Sequence, residues 1–591
     1  AEEHKNHCIC GNNIVADSKH THDKTKTWEA WYSKNSLPVE GAYYLTGKVT
    51  MAKAWEPTGD VELCLNGNTI EFTEENINAD TNYAAIILKG KKDNQVLTIT
   101  SCMSGGIIRA ANRNLNHGVY MDMPKEKKDC AAAFNYYGNS VTSIFGFRDD
   151  GIYVGTGSNL VANIWGGRIA GNSRGVSVRN GVCNMYGGTI SSNTVISTIY
   201  SSSNGGGVYI DRGATFNMYG GTIEKNSAVC KDTSYGLGGG VAIEGNSVSR
   251  SDATTHGTFN MYGGTISGNT AGKNGGGVYV GEGTTFNMTG GTIGGNKVEA
   301  TGGFDGNGGG VYVQDGRFNM DGGLISGNAA SESNFADGGG VFVIGNFTMS
   351  DGTISGNKAY RGAGVQVGDY YPNGRLGSGT FTMTGGIIGG TTADAANIAT
   401  YGGGVNVWST GTFVLCSGSI IGNEANGTVD ENGGGVHSNG TFNVSGDPIV
   451  KSNTREIQGS TYADNVDSSD KAINVVGVLR DAVEIVVNRT SKTKITGVAT
   501  YYSAIPNDDE SVTLRAGSDC AHSNVSADWS KDENGHWRVC SDCQANVDSA
   551  EHTLEMKWDT TQHWSKCSVC GYESAKASHS GGEANCLSEA V

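Results

Sequence analysis

The sequence predicts an all-β protein whose main part is a right-handed parallel β-helix, and two recurring motifs carry this prediction. A segment of the form GGGV-x-V returns along the chain, and each copy precedes a segment of the form F-x-M-x-G-G-T-I-x-x-N. The valines that align the copies lie 24 to 40 residues apart: Val208, Val241, Val278, Val311, Val341, Val365, Val405 and Val436. Short β-rich runs at such a period indicate a solenoid, because one unit cannot bury its apolar face without stacking on its neighbours.

Each unit contains three short candidate strands, which are V-x-V, F-x-M and T-I. The aligned phenylalanines are Phe216, Phe259, Phe286, Phe318, Phe347, Phe381, Phe413 and Phe442. An asparagine follows each T-I pair, and we expect these amides to form a hydrogen-bonded ladder rather than a catalytic site. They are Asn193, Asn226, Asn269, Asn296, Asn328, Asn357, Asn423 and Asn453.

Composition limits the function classes. The 591 residues include 92 Gly and only 6 Pro, without the G-X-Y period of collagen. A formal charge of −17 argues against a nucleic-acid partner, which needs clustered Lys and Arg. No run of about 18 apolar residues is present, so we expect no membrane span. The first residues, AEEHKNHC, would suit a chain trimmed after an Ala-x-Ala site, so we expect export.

The repeats resemble those of large secreted surface proteins from gut-type Gram-positive bacteria, within the pectate-lyase-like superfamily of right-handed parallel β-helices. The resemblance includes the flanking segments LPVEGAYYLTGKVTM, VELCLNGNTIEF and KAINVVGVLRDAVEIVV. It implies a β-helix over residues 40–515, followed by tandem CxxC/His modules (516–591). The Cys and His residues near the start predict a separate Cys/His-rich segment over residues 1–39. The resemblance also implies a secreted or cell-surface bacterial protein, in a fold that includes glycoside hydrolases acting on host oligosaccharides or pectin.

Alternation along the V-x-V strand predicts where function would lie. Val208 and Ile210 should point into the core, whereas Tyr209 and Asp211 should point outward. Aromatic residues occupy six of the eleven first outward positions: Tyr120, Tyr153, Tyr209, Tyr279, Tyr312 and Phe342. This pattern predicts an exposed aromatic stripe that binds a glycan. The alternative is that tyrosine, a good β former, only shields the sheet.

Charged residues in the second outward position suggest a catalytic centre. Asp211 and Glu244 should be neighbours, since adjacent coils lie about 4.8 Å apart. Retaining glycosidases use carboxyl pairs about 5–5.5 Å apart, and inverting ones use pairs about 6.5–9.5 Å apart. Asp122 lies further along the same face, so the wider, inverting geometry is also open. Arg179 could keep one acid ionised. The alternative is a solvated acid–arginine ladder.

Long connections favour a groove beside this face. The connection from Val241 to Phe259 takes 18 residues and contains His256, whereas the one from Val365 to Phe381 takes 16 and contains Asp369. We expect His256, Asp369 and Trp408 to contribute to substrate binding.

The chain ends carry Cys and His at spacings typical of zinc ligands. The expected sets are Cys8, Cys10, His20 and His22; His536, Cys540, Cys543 and His552; and His563, Cys567, Cys570 and His579. The last two sets repeat with a 27-residue step. We expect structural zinc there, and disulfides are the alternative in an exported chain. The function expected for the whole chain is a glycoside hydrolase acting on a polysaccharide or host glycan, and the alternative is a non-catalytic adhesin using the same stripe.

Overall fold

A computed structural model gives the fold of most of the chain. It describes residues 28–73, 77, 82–123, 130–157, 159–197, 203–211, 213–230, 236–245, 256–299, 306–331, 336–370, 376–427, 433–468, 471–488, 494–498, 501–509, 511–516, 525–540 and 546–578. Within these ranges strands are the main secondary structure, and the one helical element is a short 3₁₀ turn at Ala393–Ala395. None of the described segments is a helix long and apolar enough to cross a membrane.

The prediction of a parallel β-helix is confirmed. Strands of successive coils pair in parallel and in register into three ladders, which we call the V, F and T faces after their motifs. The V face comprises Ala84–Leu88, His117–Met121, Asp150–Val154, Arg174–Val178, Val208–Ile210, Val241–Ile243, Val278–Val280, Val365–Val367, Val405–Val407, Val436–Ser438 and Val466–Asp467. Two long bulged strands, Val311–Ser326 and Val341–Ser355, run across all three faces.

The F and T faces complete each coil. The F face comprises Glu29–Trp31, Gly41–Leu45, Val61–Cys64, Gln95–Thr100, Ala132–Tyr137, Leu160–Ile164, Gly181–Met185, Ala214–Met218, Thr258–Met261, Thr285–Met288, Thr380–Met383, Thr412–Leu415, Thr441–Gly446, Ala472–Leu479 and Lys494–Gly497. The T face comprises Val49–Met51, Thr69–Phe72, Ile107–Ala110, Ser143–Phe145, Arg168–Ala170, Thr189–Ser191, Thr222–Glu224, Thr265–Ser267, Thr292–Gly294, Ile387–Gly389, Ser419–Ile421, Ile449–Lys451 and Glu484–Val487.

Shorter strands lie in the connections. Those that follow the T face are Thr194–Ser197, Ser227–Cys230, Thr270–Ala271, Lys297–Val298, Lys358–Arg361, Ile398–Tyr401, Glu424–Ala425 and Thr454–Ile457, with Ser460–Ala463 antiparallel to the last. Two further pairs are Ser203–Asn204 with Gly236–Leu237, and Asp369–Tyr370 with Leu376–Gly377.

The T face ends in a reversal of strand direction. Its last strand, Glu484–Val487, pairs antiparallel with Val512–Ala516, which itself pairs antiparallel with Tyr502–Pro506. Beyond this hairpin lie two three-stranded antiparallel sheets, which we call the first and second modules. They consist of Val525–Lys531, Gly535–Cys540 and Asn546–Glu551, and of Leu554–Trp558, Gln562–Cys567 and Ala577–Ser578.

Apolar side chains fill the interior of the solenoid. From Phe259 to Phe442 the phenylalanines of the F face stack from coil to coil with centroid distances of 4.6 to 5.1 Å. Val208 and Ile210 are fully buried, as the alternation predicts. Complete burial of one such side chain stabilises the folded chain by about 1.5–3 kcal/mol, so each further coil adds a similar stabilisation.

The asparagine ladder is also confirmed. Each buried amide donates from Nδ2 to the Oδ1 of the next coil, as Asn226 does to Asn269 at 3.0 Å and Asn269 to Asn296 at 2.9 Å. The backbone N–H groups of Asn226 and Asn269 donate to the same oxygens. Asn172, Asn397 and Asn465 extend the ladder beyond the predicted members. We call it the inner asparagine ladder.

The prediction of an exposed aromatic stripe on the V face is wrong. The exposed fraction is only 4% for Tyr209, 7% for Tyr279 and 2% for Tyr312, and Phe342 is fully buried. The cause is the glycine run before each V strand. At Gly205 (φ +70°) an added Cβ would lie 2.3 Å from the Val208 carbonyl oxygen and 2.9 Å from the Cα of Tyr209, so the chain folds back over the strand.

An exposed aromatic stack lies instead where the F-face strands end. Tyr137, Trp165, Tyr186, Tyr219 and Tyr262 stack in successive coils, and the last three are 37%, 45% and 48% exposed. Their ring faces cover one another at interplanar angles of 12° or less, so this stack presents mainly ring edges to solvent.

Candidate functional site

Five consecutive coils of the V face carry a cluster of charged and aromatic side chains. In three of these coils His117, Asp150 and Arg174 occupy the position where later coils have the first glycine of the pair before the valine. Asp150 pairs in register with both of the others, so the three side chains form a short ladder. These three coils therefore have a titratable side chain where later coils have glycine, at one edge of the β-helix.

Asp150 is the buried centre of this ladder. The Nδ1 of His117 lies 3.0 Å from its Oδ2, and the Ser177 hydroxyl donates to its Oδ1. Burial, the largest single effect, favours the neutral acid. The hydrogen bond and charge of His117, the charge of Arg174 and the Ser177 hydroxyl outweigh it and lower the pKa of Asp150. Asp150 is therefore a fixed, ionised group.

Asp149 is shifted in the opposite direction. Burial and the neighbouring charge of Asp150 raise its pKa, against the weaker influence of His117 and two arginines. Its side chain is only partly buried, whereas Asp150 is almost completely buried. Two adjacent carboxyl groups with opposite pKa shifts are the arrangement from which an acid and an ionised carboxylate can act together.

The predicted residues around Tyr209 do come together. Arg179 forms an ion pair with Asp211 at 3.0 Å, and its guanidinium carbon lies 4.3 Å from the Tyr209 ring centroid. The Tyr209 hydroxyl donates to Glu244 Oε2, and Asn204 Nδ2 donates to Glu244 Oε1 at 2.6 Å. Asp211 and Glu244 thus lie in adjacent coils, but each carboxylate binds a different partner.

Asp122 lies in the first coils of the cluster. It accepts hydrogen bonds from the Tyr120 hydroxyl (2.8 Å) and from the backbone N–H and hydroxyl of Thr156 (2.7 and 2.6 Å). The Tyr120 and Tyr153 rings stack with centroids 4.9 Å apart. These contacts hold Asp122 and both tyrosines in one rigid group.

An open cavity of about 370 Å³ adjoins this group. Its lining consists of Asn82, Tyr83, Asn116, His117, Tyr120 and Tyr153, all of which can hydrogen-bond. Asn82 and Tyr83 both have left-handed backbones with φ of +50°, which is unusual for a tyrosine and concentrates at functional sites. Tyr83 is 43% exposed and also lines a second cavity of about 380 Å³ with Asn116 and Arg148. The two cavities therefore adjoin each other, and Tyr83, with its strained backbone, lines both of them.

The other predicted substrate-binding residues do not join the cluster. Tyr279, Tyr312 and Phe342 pack into a covered apolar group with Leu237, Ala242 and Ile344, so they do not present the exposed surface on which their predicted role in substrate binding depends. Trp408 lies several coils away, half-buried beneath the guanidinium of Arg361 at 4.4 Å. His256 is exposed beside Gly283, and Asp369 lies in a short strand paired with Leu376–Gly377.

Several participants were not anticipated from the sequence as site residues, among them Tyr83, His117, Asp150, Arg174 and Asn204. A signal existed for His117 and Arg174, because HGVY and RGVS interrupt the glycine pair that precedes the valine elsewhere. Asn204 and Tyr83 lie in connections between the faces of the solenoid, where no periodic pattern predicts a side-chain direction.

A His/Cys group that could hold a metal ion lies in the C-terminal modules. It consists of His536, His552, Cys567 and Cys570, whose ligand atoms all lie within 4.8 Å of one another. Burial would raise the pKa of Cys567, but backbone N–H groups, His552 and Cys570 together lower it to about 6, which favours the thiolate.

This group combines residues from both predicted C-terminal sets. Cys540 is not a member and packs against Val478 and Tyr501 at the end of the solenoid. The predicted set with Cys540 stays a prediction, because its member Cys543 lies outside the described residues. His563 is not a member either. The predicted ligands Cys8, Cys10, His20, His22, Cys543 and His579 lie outside the described residues.

Comparison with protein-family models, with curated proteins and with solved structures found no match to this chain. The fold and the contacts above are therefore the basis for any function.

Proposed function

We propose that this protein binds an oligo- or polysaccharide at the V-face cluster, with the Tyr83 cavity as its main subsite. The observation that carries the proposal is the cavity lining, which consists of three tyrosines, two asparagines and a histidine. Aromatic rings contact the C–H face of a sugar, and amide, phenol and imidazole groups bind its hydroxyls. A volume of about 370 Å³ lies within the usual range of ligand cavities, about 300–1,000 Å³.

A glycan array with the intact chain tests this proposal. Tyr83→Ala should weaken binding about tenfold, equivalent to about 1.4 kcal/mol, because it removes the ring shared by both cavities. Tyr462→Ala is the matched control, since Tyr462 is similarly exposed (48% against 43%) at the other end of the solenoid. Equal affinity of the two variants for every bound glycan would exclude the cavity as the subsite.

The resemblance of the repeats supports a surface role for this binding. The proposal includes membership of the pectate-lyase-like β-helix superfamily and export to the cell surface of a Gram-positive bacterium. In that setting the glycan belongs to a host or to the surrounding polysaccharides. Detection of the chain on intact cells by surface biotinylation tests the location.

Hydrolysis of the bound glycan is the second candidate function, and the opposite pKa shifts of Asp149 and Asp150 favour it. The backbone N–H groups of both residues donate to the carbonyl of Asn116, which lines the cavity. Asp149 would act as the general acid, because burial and the charge of Asp150 raise its pKa and so favour its protonated form. Asp150 would supply a fixed negative charge behind the wall of the cavity, where His117, which lines the cavity, contacts its Oδ2.

The test compares cleavage with binding. Asp149→Asn should lower the rate of cleavage about a hundredfold or more while binding persists. Asp211→Asn and Glu244→Gln form a second arm, because the same outcome for those variants would assign the chemistry to that pair. Binding without cleavage by the wild type would leave the protein as an adhesin.

We further propose that zinc is the ion of the His536, His552, Cys567 and Cys570 group. Two imidazoles and two thiolates are a tetrahedral ligand set that zinc prefers. Elemental analysis of the chain purified without added metal should find zinc, and a different metal would refute this assignment.

A further inference from the structure

The four residues of the metal group lie on two separate sheets. His536 is in the strand Gly535–Cys540 of the first module, and His552 comes directly after that module's last strand, Asn546–Glu551. Cys567 ends the strand Gln562–Cys567 of the second module, and Cys570 lies in the turn that follows. An ion at this group would touch both modules.

The Cys567 turn has the form of a metal-binding knuckle. Gly571 follows Cys570 with φ of +66°, and its N–H donates to the Cys567 carbonyl at 3.0 Å. The Cys567 N–H donates to the Tyr572 carbonyl at 2.8 Å, which closes the turn. Both thiols therefore face one side of a turn whose own hydrogen bonds hold it.

The histidines are oriented by contacts outside the group. The Nε2 of His552 lies 2.7 Å from the Asp532 carbonyl oxygen, and its Nδ1 lies 3.4 Å from the Cys570 sulfur. A ligating histidine commonly donates its other ring N–H to a carbonyl in this way. The Trp529 ring packs edge-on against His536 at 4.6 Å, and Tyr572 stacks on His552 at 4.3 Å.

We propose that a single metal ion joins the two C-terminal modules, bound by two histidines of one repeat and the CxxC pair of the next. The arrangement differs from a site within each repeat, for which Cys540 would be a ligand. It rests on the group's geometry and on neither the proposed glycan site nor the identity of the ion. The two modules, each of three short strands with little core, would thereby form one unit.

The two repeats supply a matched pair of variants for the test. His536 and His563 occupy the same place in the HW-x-x-C motif, but only His536 belongs to the group. The intact chain and its His536→Gln and His563→Gln variants are loaded with Co²⁺, and bound metal per chain is measured with the thiolate–cobalt absorption.

The expected result is the loss of one equivalent of metal and of its thiolate–cobalt absorption in His536→Gln, with no loss in His563→Gln. Cys570→Ser should behave as His536→Gln does, and a circular-dichroism spectrum unchanged in all variants shows that the solenoid is folded. Equal loss in the two histidine variants, or no loss in either, would overturn the shared site. A shared site that prefers a metal other than zinc would refute only the assignment of the ion.

Discussion

At the scale of one residue, Gly205 shows why the repeat keeps its glycines. A side chain there would meet the Val208 carbonyl oxygen and the backbone of Tyr209, and the positive φ adds strain of its own. Gly295 has a similar φ of +62° but has nothing within 4 Å of the Cβ position. A comparison of the two glycines therefore separates the effect of a steric collision from the effect of a strained backbone.

Gly205→Ala should lower the stability of the solenoid by more than Gly295→Ala does. We expect a cost on the order of 1 kcal/mol for the left-handed backbone alone and several kcal/mol where the collision is added. The midpoints of urea unfolding of the two variants measure the difference. Equal midpoints would mean that the glycine run before the V strand moves away to accommodate a side chain.

Cys64 and Cys102 give a second prediction at this scale. Their sulfurs lie 3.1 Å apart in neighbouring coils, 38 residues apart in sequence. In an oxidising environment we expect a disulfide, which typically stabilises a fold by about 2–4 kcal/mol. After unfolding without reductant, Cys183 and Cys416 should react with an alkylating agent while Cys64 and Cys102 do not. Labelling of all four thiols would contradict the cross-link.

At the scale of the element, two asparagine ladders run along the β-helix in different surroundings. The inner asparagine ladder is fully buried, whereas the outer one, which includes Asn217, Asn260 and Asn287, is half-buried. Both repeat the same amide-to-amide hydrogen bond at about the same length. Water can replace a lost partner only in the outer ladder.

Asn269→Ala should therefore destabilise the chain more than Asn260→Ala. The first variant leaves two buried N–H groups of Asn226 without a partner, at a cost of about 2–4 kcal/mol. For the second we expect less than about 1 kcal/mol. Thermal unfolding of the two variants provides the comparison, and similar losses would show that burial does not govern the ladder.

The elements also show how far the sequence can be interpreted. Motif spacing was enough for the three strands of each coil, and the Asn position was enough for the inner ladder. Alternation predicted that Tyr279 and Phe342 point away from the core, but not that glycine-rich chain would cover them. Pointing outward and being exposed are different properties, because exposure depends on connections that have no period.

At the scale of the whole molecule, carboxylates with lowered pKa values lie at several places along the solenoid and make its stability depend on acid pH. Hydrogen bonds from Lys48 and then Arg109 lower the pKa of Glu71 near one end, and Lys451 and then Arg515 lower that of Glu484 near the other. The pKa of Asp150, which lies between these two residues in the sequence, is also lowered. Each contributes stability that is complete above the ordinary carboxyl pKa of about 4 and is lost as the pH falls through its folded value.

We therefore expect the melting temperature to fall steeply below about pH 4. Asp149 acts with the opposite sign, since its raised pKa costs stability as the pH rises above about 4. Asp150→Asn should flatten the acid side of the profile. A profile of Asp150→Asn with the same acid slope as the wild type would show that His117 and Ser177 do not hold this charge.

At this scale the sequence predicted only part of the candidate site, because register indicates which coil a residue belongs to but not which neighbour its side chain binds. The sequence grouped Arg179, Tyr209, Asp211 and Glu244 correctly, since register alone places them in adjacent coils. It did not indicate that Arg179 and Tyr209 would each bind one of the two acids. Nor could it pair the two modules, because the metal group depends on how one sheet lies against another.

The antiparallel hairpin that ends the T face has a consequence for self-association. A parallel ladder exposes at its last coil the same unsatisfied edge that each earlier coil used to add the next, so an open end is a template for fibre growth. Val512–Ala516 occupies that edge on the T face with reversed polarity. The other edge of Val512–Ala516 is paired with Tyr502–Pro506. A second copy meeting this end therefore cannot pair with the last T-face strand, Glu484–Val487, because the hairpin already occupies its edge.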